Sequence, residues 1–90
     1  MNQIDLCIVG GAGHVGLPLA LAFTQASKKV LIYDLNEKAL EQLKGGEMPF
    51  LEHGAEPMLK AALEKGLLYF SNNPKDIQGI PNIITTIGIS

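Results

Sequence analysis

The chain has one cysteine, Cys7, and no tryptophan in 90 residues. A lone thiol excludes an intrachain disulfide framework and a CxxC metal site, and it suits a reducing compartment. No apolar run reaches the ~18–20 residues that a membrane-crossing helix needs. The N-terminus, Met1-Asn2-Gln3-Ile4-Asp5, lacks the cationic flank of a secretory signal. Basic clusters are missing too, since seven Lys and Arg against nine Asp and Glu leave a formal charge of −2. Phosphate neutralisation needs grouped cations, so neither nucleic acid nor a membrane is an expected partner. A cytoplasmic location is expected. There is no repeat, no linker and no GxxxxGK(S/T) loop, which removes the ATPase and GTPase classes.

What remains is apolar content. The chain is 47% hydrophobic and 18% charged, a balance that disordered chains do not have. Its length suits one domain or part of one, able to bury roughly 60–65% of its unfolded surface.

The recurring unit is a strand followed by a helix. Ile4 to Val9 is a short apolar run ending at Gly10-Gly11, as in a strand covered on both faces. His14 to Ala26 has helical spacing, with Val15, Leu19, Phe23 and Ala26 expected on the inner face. Pro18 lies inside that helix, so either the helix bends there or it starts later. Lys29 to Tyr33 reads as a second strand. Asn36 caps a helix through Lys44 that turns Ala39, Leu40 and Leu43 inward, and Gly45-Gly46 stops it. An irregular segment, Glu47 to Glu56, precedes a helix opened by Pro57, carrying Met58, Leu59, Ala62 and Leu63, and closed at Gly66. Leu67 to Phe70 is a third strand, Asn73-Pro74 caps a short helical turn containing Ile77, and Ile83 to Ile87 is a fourth strand. The pattern is α/β, the first half of a Rossmann-type doubly wound parallel sheet. Strand two lies beside one, three beyond two, and four on the other side of one. The fourth strand would then form an apolar edge, which natural domains avoid, so the sequence reads as the front of something larger.

The informative constellation is Gly11-Ala12-Gly13-His14-Val15-Gly16, directly after the first strand. Gly11 permits the tight turn, Gly13 lets a diphosphate approach the backbone, and Gly16 lets the helix pack on the sheet. Free amides at the helix start, with the positive end of its dipole, hold phosphates without a lysine. Asp34 follows Gly16 by 18 positions, where the dinucleotide fingerprint places an acid. Its carboxylate accepts from both ribose hydroxyls and repels a 2′-phosphate, which favours NAD over NADP. The bland alternative is a plain connecting turn with Asp34 as a solvated cap.

Other residues attract attention for weaker reasons. Cys7 is mid-strand among apolar neighbours, where a thiol is inert packing with a raised pKa. His14 opens the helix and reads as a neutral wall or hydrogen-bond donor rather than a base. A single His53 beside Glu52 makes no metal site. Lys28-Lys29 is an exposed helix end. Met48, Pro49, Phe50 and Leu51 form either a cofactor-facing lid or, the favoured reading, a segment tucked against the sheet edge. No nucleophile, base and orienting group come together.

Val15-Gly16-Leu17-Pro18-Leu19-Ala20 resembles the VGLPLA stretch of the UDP-glucose/GDP-mannose dehydrogenase family, the nucleotide-sugar dehydrogenases. Tyr33-Asp34-Leu35-Asn36 is similar to that family's second-strand end. Gly46, Pro49, Glu52 and Gly54, followed by Leu59 and Leu63, are similar to its loop and helix. Within the family, Pro49-Phe50-Leu51-Glu52 with Gly54-Ala55 looks most like the branch acting on UDP-N-acetylhexosamines. The resemblance spans essentially the whole chain. It implies an enzyme that oxidises a nucleotide-sugar C6 hydroxyl to a carboxylate, using two NAD and a thiohemiacetal on a cysteine. That nucleophile would lie beyond the length available here, and Cys7 does not correspond to it. By resemblance Gly11, Gly13, Val15 and Gly16 contact the dinucleotide and Asp34 its ribose, with Ser71 near a family threonine; His14, in the same turn, is counted with the cofactor-binding residues. The family's Gly-Thr-Pro after the fourth strand is replaced by Gly88-Ile89-Ser90.

Residues 1–90 are thus expected to be the partial N-terminal NAD-binding domain of a nucleotide-sugar dehydrogenase, a fragment or truncated product inactive alone. A hydroxyacid or 6-phosphogluconate type dehydrogenase is the enzyme alternative, against which VGLPLA argues. A free-standing nucleotide-binding module that self-associates along the fourth strand is the other. Light scattering separates that homodimer from a monomeric or aggregating fragment.

Overall fold

The sheet is built outward from its first strand. In a computed structural model describing residues 3–86, β1 (Leu6–Val9) pairs in parallel with β2 (Val30–Tyr33) on one side and β4 (Ile83–Thr85) on the other. Beyond β2 lies β3 (Leu68–Ser71), so the order is β3-β2-β1-β4 with every pairing parallel. This is the expected strand order. The register aligns Val9 with Tyr33 and Tyr33 with Ser71, bringing the carboxyl ends of β1, β2 and β3 to one rim. The end proposed for β4, Ile87, lies outside the described residues.

Side-chain alternation separates the two faces. Leu6, Ile8, Val30, Ile32 and Leu68 join one core with Leu17, Ala20 and Leu21 of α1 (Gly16–Gln25), Leu40 and Leu43 of α2 (Glu37–Lys44), and Leu59 of α3 (Ala55–Glu64). Cys7 and Leu31 point the other way and are buried as well, which is why β1 reads as a continuous apolar run. Burial pushes the Cys7 thiol above its ordinary pKa.

Two expectations about α1 need correction. The helix begins at Gly16, not at His14, which puts Pro18 at its third position. Amides of the first turn have no helical acceptor, so a proline there forfeits no bond and bends nothing. Pro57 takes the same place in α3, which starts two residues ahead of it at Ala55. The inner stripe of α1 is Gly16, Leu17, Ala20, Leu21 and Thr24; Val15 and Ala26 are exposed, and Leu19 and Phe23 only half-buried. Gly-Leu-Pro-Leu-Ala-Leu-Ala-Phe is apolar on every side, so spacing cannot choose a face. Small residues at Gly16 and Ala20 choose it, because they let the helix come closest. Thr24 is tolerated inside because its hydroxyl donates to the Leu21 carbonyl at 2.7 Å.

All three helices end in the same hydrogen-bonded reversal. Gly46 and Gly66 supply its left-handed residue after α2 and α3, while Ser27 does so after α1 at φ 65°.

Candidate dinucleotide site

The chain leaves β1 through Gly10, whose φ of 84° is open to glycine alone at no cost. The tight turn expected at Gly11 therefore belongs to its neighbour. Gly11 is needed for proximity instead: a Cβ there would lie 2.9 Å from Ile32 Cγ2 and 2.8 Å from the Ile8 carbonyl oxygen. Gly16 is tighter still, since its Cβ would fall 2.3 Å from the Gly10 carbonyl oxygen and 2.9 Å from Gly11 Cα. So Gly16 packs the helix onto the turn itself. Gly13 differs from both. A Cβ on it would meet the Gly10 oxygen at 3.4 Å and nothing else close, so its backbone is approachable.

The turn's amides fall into two groups. Gly10 and Gly11 donate to the Tyr33 carbonyl at 2.8 and 3.2 Å, and Gly13 donates to Gly10 at 3.1 Å. Ala12 N–H donates to Asp34 Oδ2 at 3.1 Å. The amides of His14, Val15 and Gly16 have no acceptor among the described residues. Val15 occupies the cap position of α1 without a capping hydrogen bond, and no acid stands in the first turn. Three adjacent donors at the positive end of a ten-residue helix suit an anion.

Asp34 ends β2 beside this turn. Its Oδ1 accepts from the Asn36 amide at 3.0 Å while Oδ2 holds Ala12. An ionised carboxylate has about four lone-pair positions, so capacity for hydroxyl donors remains. The acid is thus more than a solvated cap, because it ties the end of β2 to the turn after β1.

Ser71 is placed differently from the other candidates. It sits at the end of β3, two strands away from Val9. Its hydroxyl donates to Asp76 Oδ2 at 2.5 Å and accepts from the Asn73 amide at 2.9 Å. It lines a cleft of about 370 Å³ between α2 and the end of β3, with Glu37, Lys44 and Asp76. The structure therefore gathers Gly11, Gly13, His14, Val15, Gly16 and Asp34, and leaves Ser71 apart.

Two residues enter that the favoured sequence reading left outside the site, although Phe50 belonged to the lid alternative. Thr86, just after β4, donates its hydroxyl to the carbonyls of Val9 and Gly10 at 2.9 and 3.3 Å. The signal available was a hydroxyl closing the apolar run Ile83-Ile84 at the carboxyl end of a strand beside β1. Phe50 stacks on His14, with ring centroids 4.1 Å apart and planes inclined by 26°. The segment after α2 thus meets the glycine turn instead of the sheet edge. Leu51 beside it is almost fully exposed. Among the described residues no group of His, Cys, Asp and Glu could hold a metal, and His53 stands exposed. The replacement of Gly-Thr-Pro by Gly88-Ile89-Ser90 lies outside the described residues.

Residues 4–88 match the model of the NAD binding domain of the UDP-glucose/GDP-mannose dehydrogenase family. The chain belongs to this family. It is 36% identical over 64 residues to a UDP-N-acetyl-D-mannosamine dehydrogenase of Escherichia coli, covering 71% of this chain and 15% of that protein. It is also 35% identical over 66 residues to a UDP-glucose 6-dehydrogenase of Pseudomonas aeruginosa, covering 73% of this chain and 14% of the relative. The UDP-N-acetyl-mannosamine dehydrogenase structure from Staphylococcus aureus superposes with a TM-score of 0.81 at 27% identity, over 90% of this chain and 19% of its own. The chain therefore spans about 15% of the curated relatives' length, and the family's NAD-binding domain is the part it matches. Among the described residues no helix is long and apolar enough to cross a membrane.

Proposed function

We propose that this chain binds NAD with the diphosphate on the amides of His14, Val15 and Gly16 and the adenine ribose on Asp34. The observation that carries the reading is the set of three unpartnered amides at an uncapped, acid-free helix start. Gly13 gives the diphosphate access, Gly11 and Gly16 keep the turn close to β2 and α1, and Ser71 lies on the same rim as a more distant contact. The protein's activity is oxidation of a nucleotide-sugar C6 hydroxyl to a carboxylate, and bound NAD supplies the hydride acceptor. This chain's residues contribute binding and orientation, and none of them is assigned a catalytic role. The UDP-N-acetylhexosamine branch is the preferred substrate class, supported by the E. coli relative's name.

We place residues 1–90 as part of an N-terminal NAD-binding domain acting in the cytoplasm, without nucleic-acid or membrane partners, in keeping with the weak negative charge. Pairing of two copies along β4, where Ile83 is half exposed, completes the proposal for partners.

Calorimetric titration of NAD tests the ribose assignment. Asp34→Ala should weaken binding roughly ten- to hundredfold, the worth of charge-assisted hydrogen bonds. Equal affinity in parent and variant would remove Asp34 from the site.

A further inference from the structure

We infer that Phe50 is a positioning residue for the dinucleotide site, acting through its stack on His14 to hold the glycine turn in its binding shape. The inference rests on the NAD reading above and adds to it the device that keeps the amides in place. Four of the seven residues from Gly10 to Gly16 are glycine, and glycine loses more freedom on ordering than any other residue. A turn of that composition presents its three free amides in one arrangement only if neighbouring elements fix it. Each side of the turn has such a fixture. From β2, Asp34 holds the Ala12 amide at 3.1 Å. From the end of β4, Thr86 holds the Val9 and Gly10 carbonyls. Neither reaches His14-Val15-Gly16, where the free donors are.

Phe50 does. Its ring lies 4.1 Å from the His14 ring, and its own position is set by packing on the core beside Met48. His14 is otherwise exposed, so the stack is the contact that ties the His14 end of the turn to a neighbouring element. The segment between α2 and α3 becomes a strap whose inner residue grips the turn.

Phe50→Leu tests this, because leucine keeps an apolar filling for the core and loses the ring. NAD affinity should fall roughly two- to tenfold, the range for one aromatic pair. Phe50→Tyr should restore it to within about twofold. His14→Ala should cost as much as Phe50→Leu, and the double variant no more than either alone, because both remove one stack. Amide exchange should quicken at Ala12 to Gly16 in Phe50→Leu and stay unchanged in α2, a local signature that general destabilisation does not give. Parental affinity in Phe50→Leu, or losses that multiply in the double variant, would overturn the inference while leaving the NAD reading intact. A parent chain that binds no NAD would sink the site reading instead, and unchanged exchange at the turn would then dismiss the strap separately.

Discussion

The starts of α1 and α2 stand close together at the carboxyl rim of the sheet and solve the same problem in opposite ways. Every helix begins with amides that lack a partner. At α2 the Asn36 side chain accepts from the Ala39 amide at 3.1 Å, and Glu37 places a negative charge in the first turn. That start is complete in itself. At α1 there is neither a side-chain cap nor an acid, and the helix is longer by two residues. The third helix falls between them, with the glycine Gly54 at its cap position and Glu56 in its first turn. A helix start that is left incomplete costs stability, about 1 kcal/mol for a missing cap. The deficit sits at the site proposed for the diphosphate, which is the kind of place where such a cost is expected to be borne.

The largest effect that sharpens this contrast comes from the two glycines bordering the free amides. Gly16→Ala drives a Cβ to 2.3 Å from the Gly10 carbonyl oxygen, and every atom it meets is backbone that cannot swing aside. A loss on the order of 3 kcal/mol is expected, which lowers Tm by roughly 10–20 °C in a thermal melt. Gly13→Ala meets one atom, at 3.4 Å, so its Tm should stay within about 3 °C of the parent. Its methyl stands in the ligand's approach, and NAD affinity should drop by about tenfold or more. Equal melting losses in the two variants would mean that the turn has no open side.

The next effect is an attempt to turn α1 into a second α2. Val15 is half exposed at the cap position of α1. Val15→Asp adds a carboxylate to the positive end of the helix, worth about 0.5 kcal/mol, or roughly 2–4 °C in Tm. The same charge repels a diphosphate, so NAD binding should weaken by about tenfold or more, most strongly at low salt. Stability and affinity thus move in opposite directions. Were both to rise, the diphosphate would not lie at this helix start.

What could be read from the sequence follows the same division. Features set by local chemistry were legible: the Asn36 cap, the Gly46 and Gly66 reversals, the turn capped by Asn73, and the acid ending β2. Strand order was legible because right-handed crossovers leave few ways to arrange four parallel strands. The inner face of α1 was not, since a helix apolar all round carries no stripe to read. Nor were the contacts of Thr86 and Phe50, whose partners lie 76 and 36 positions away, because no spacing rule links a residue to a contact made by the fold. Ser71 shows the converse. Its position at a strand end is readable, but its hydroxyl is taken by Asn73 and Asp76, a local competition typical of serine in turns.

The smallest effect on NAD binding is the most discriminating. Asn36→Ala removes the cap of α2 and should cost about 1 kcal/mol, or roughly 4–8 °C in Tm. The Asn36 amide that donates to Asp34 Oδ1 belongs to the backbone and survives the substitution. The carboxylate therefore keeps its orientation, and NAD affinity should remain within about twofold of the parent. That outcome would show that two helix starts after neighbouring strands hold separate duties, one for stability and one for the anion. A tenfold loss of NAD binding in Asn36→Ala would instead make the order of α2 part of the site, because Asp34 would then depend on the helix that follows it.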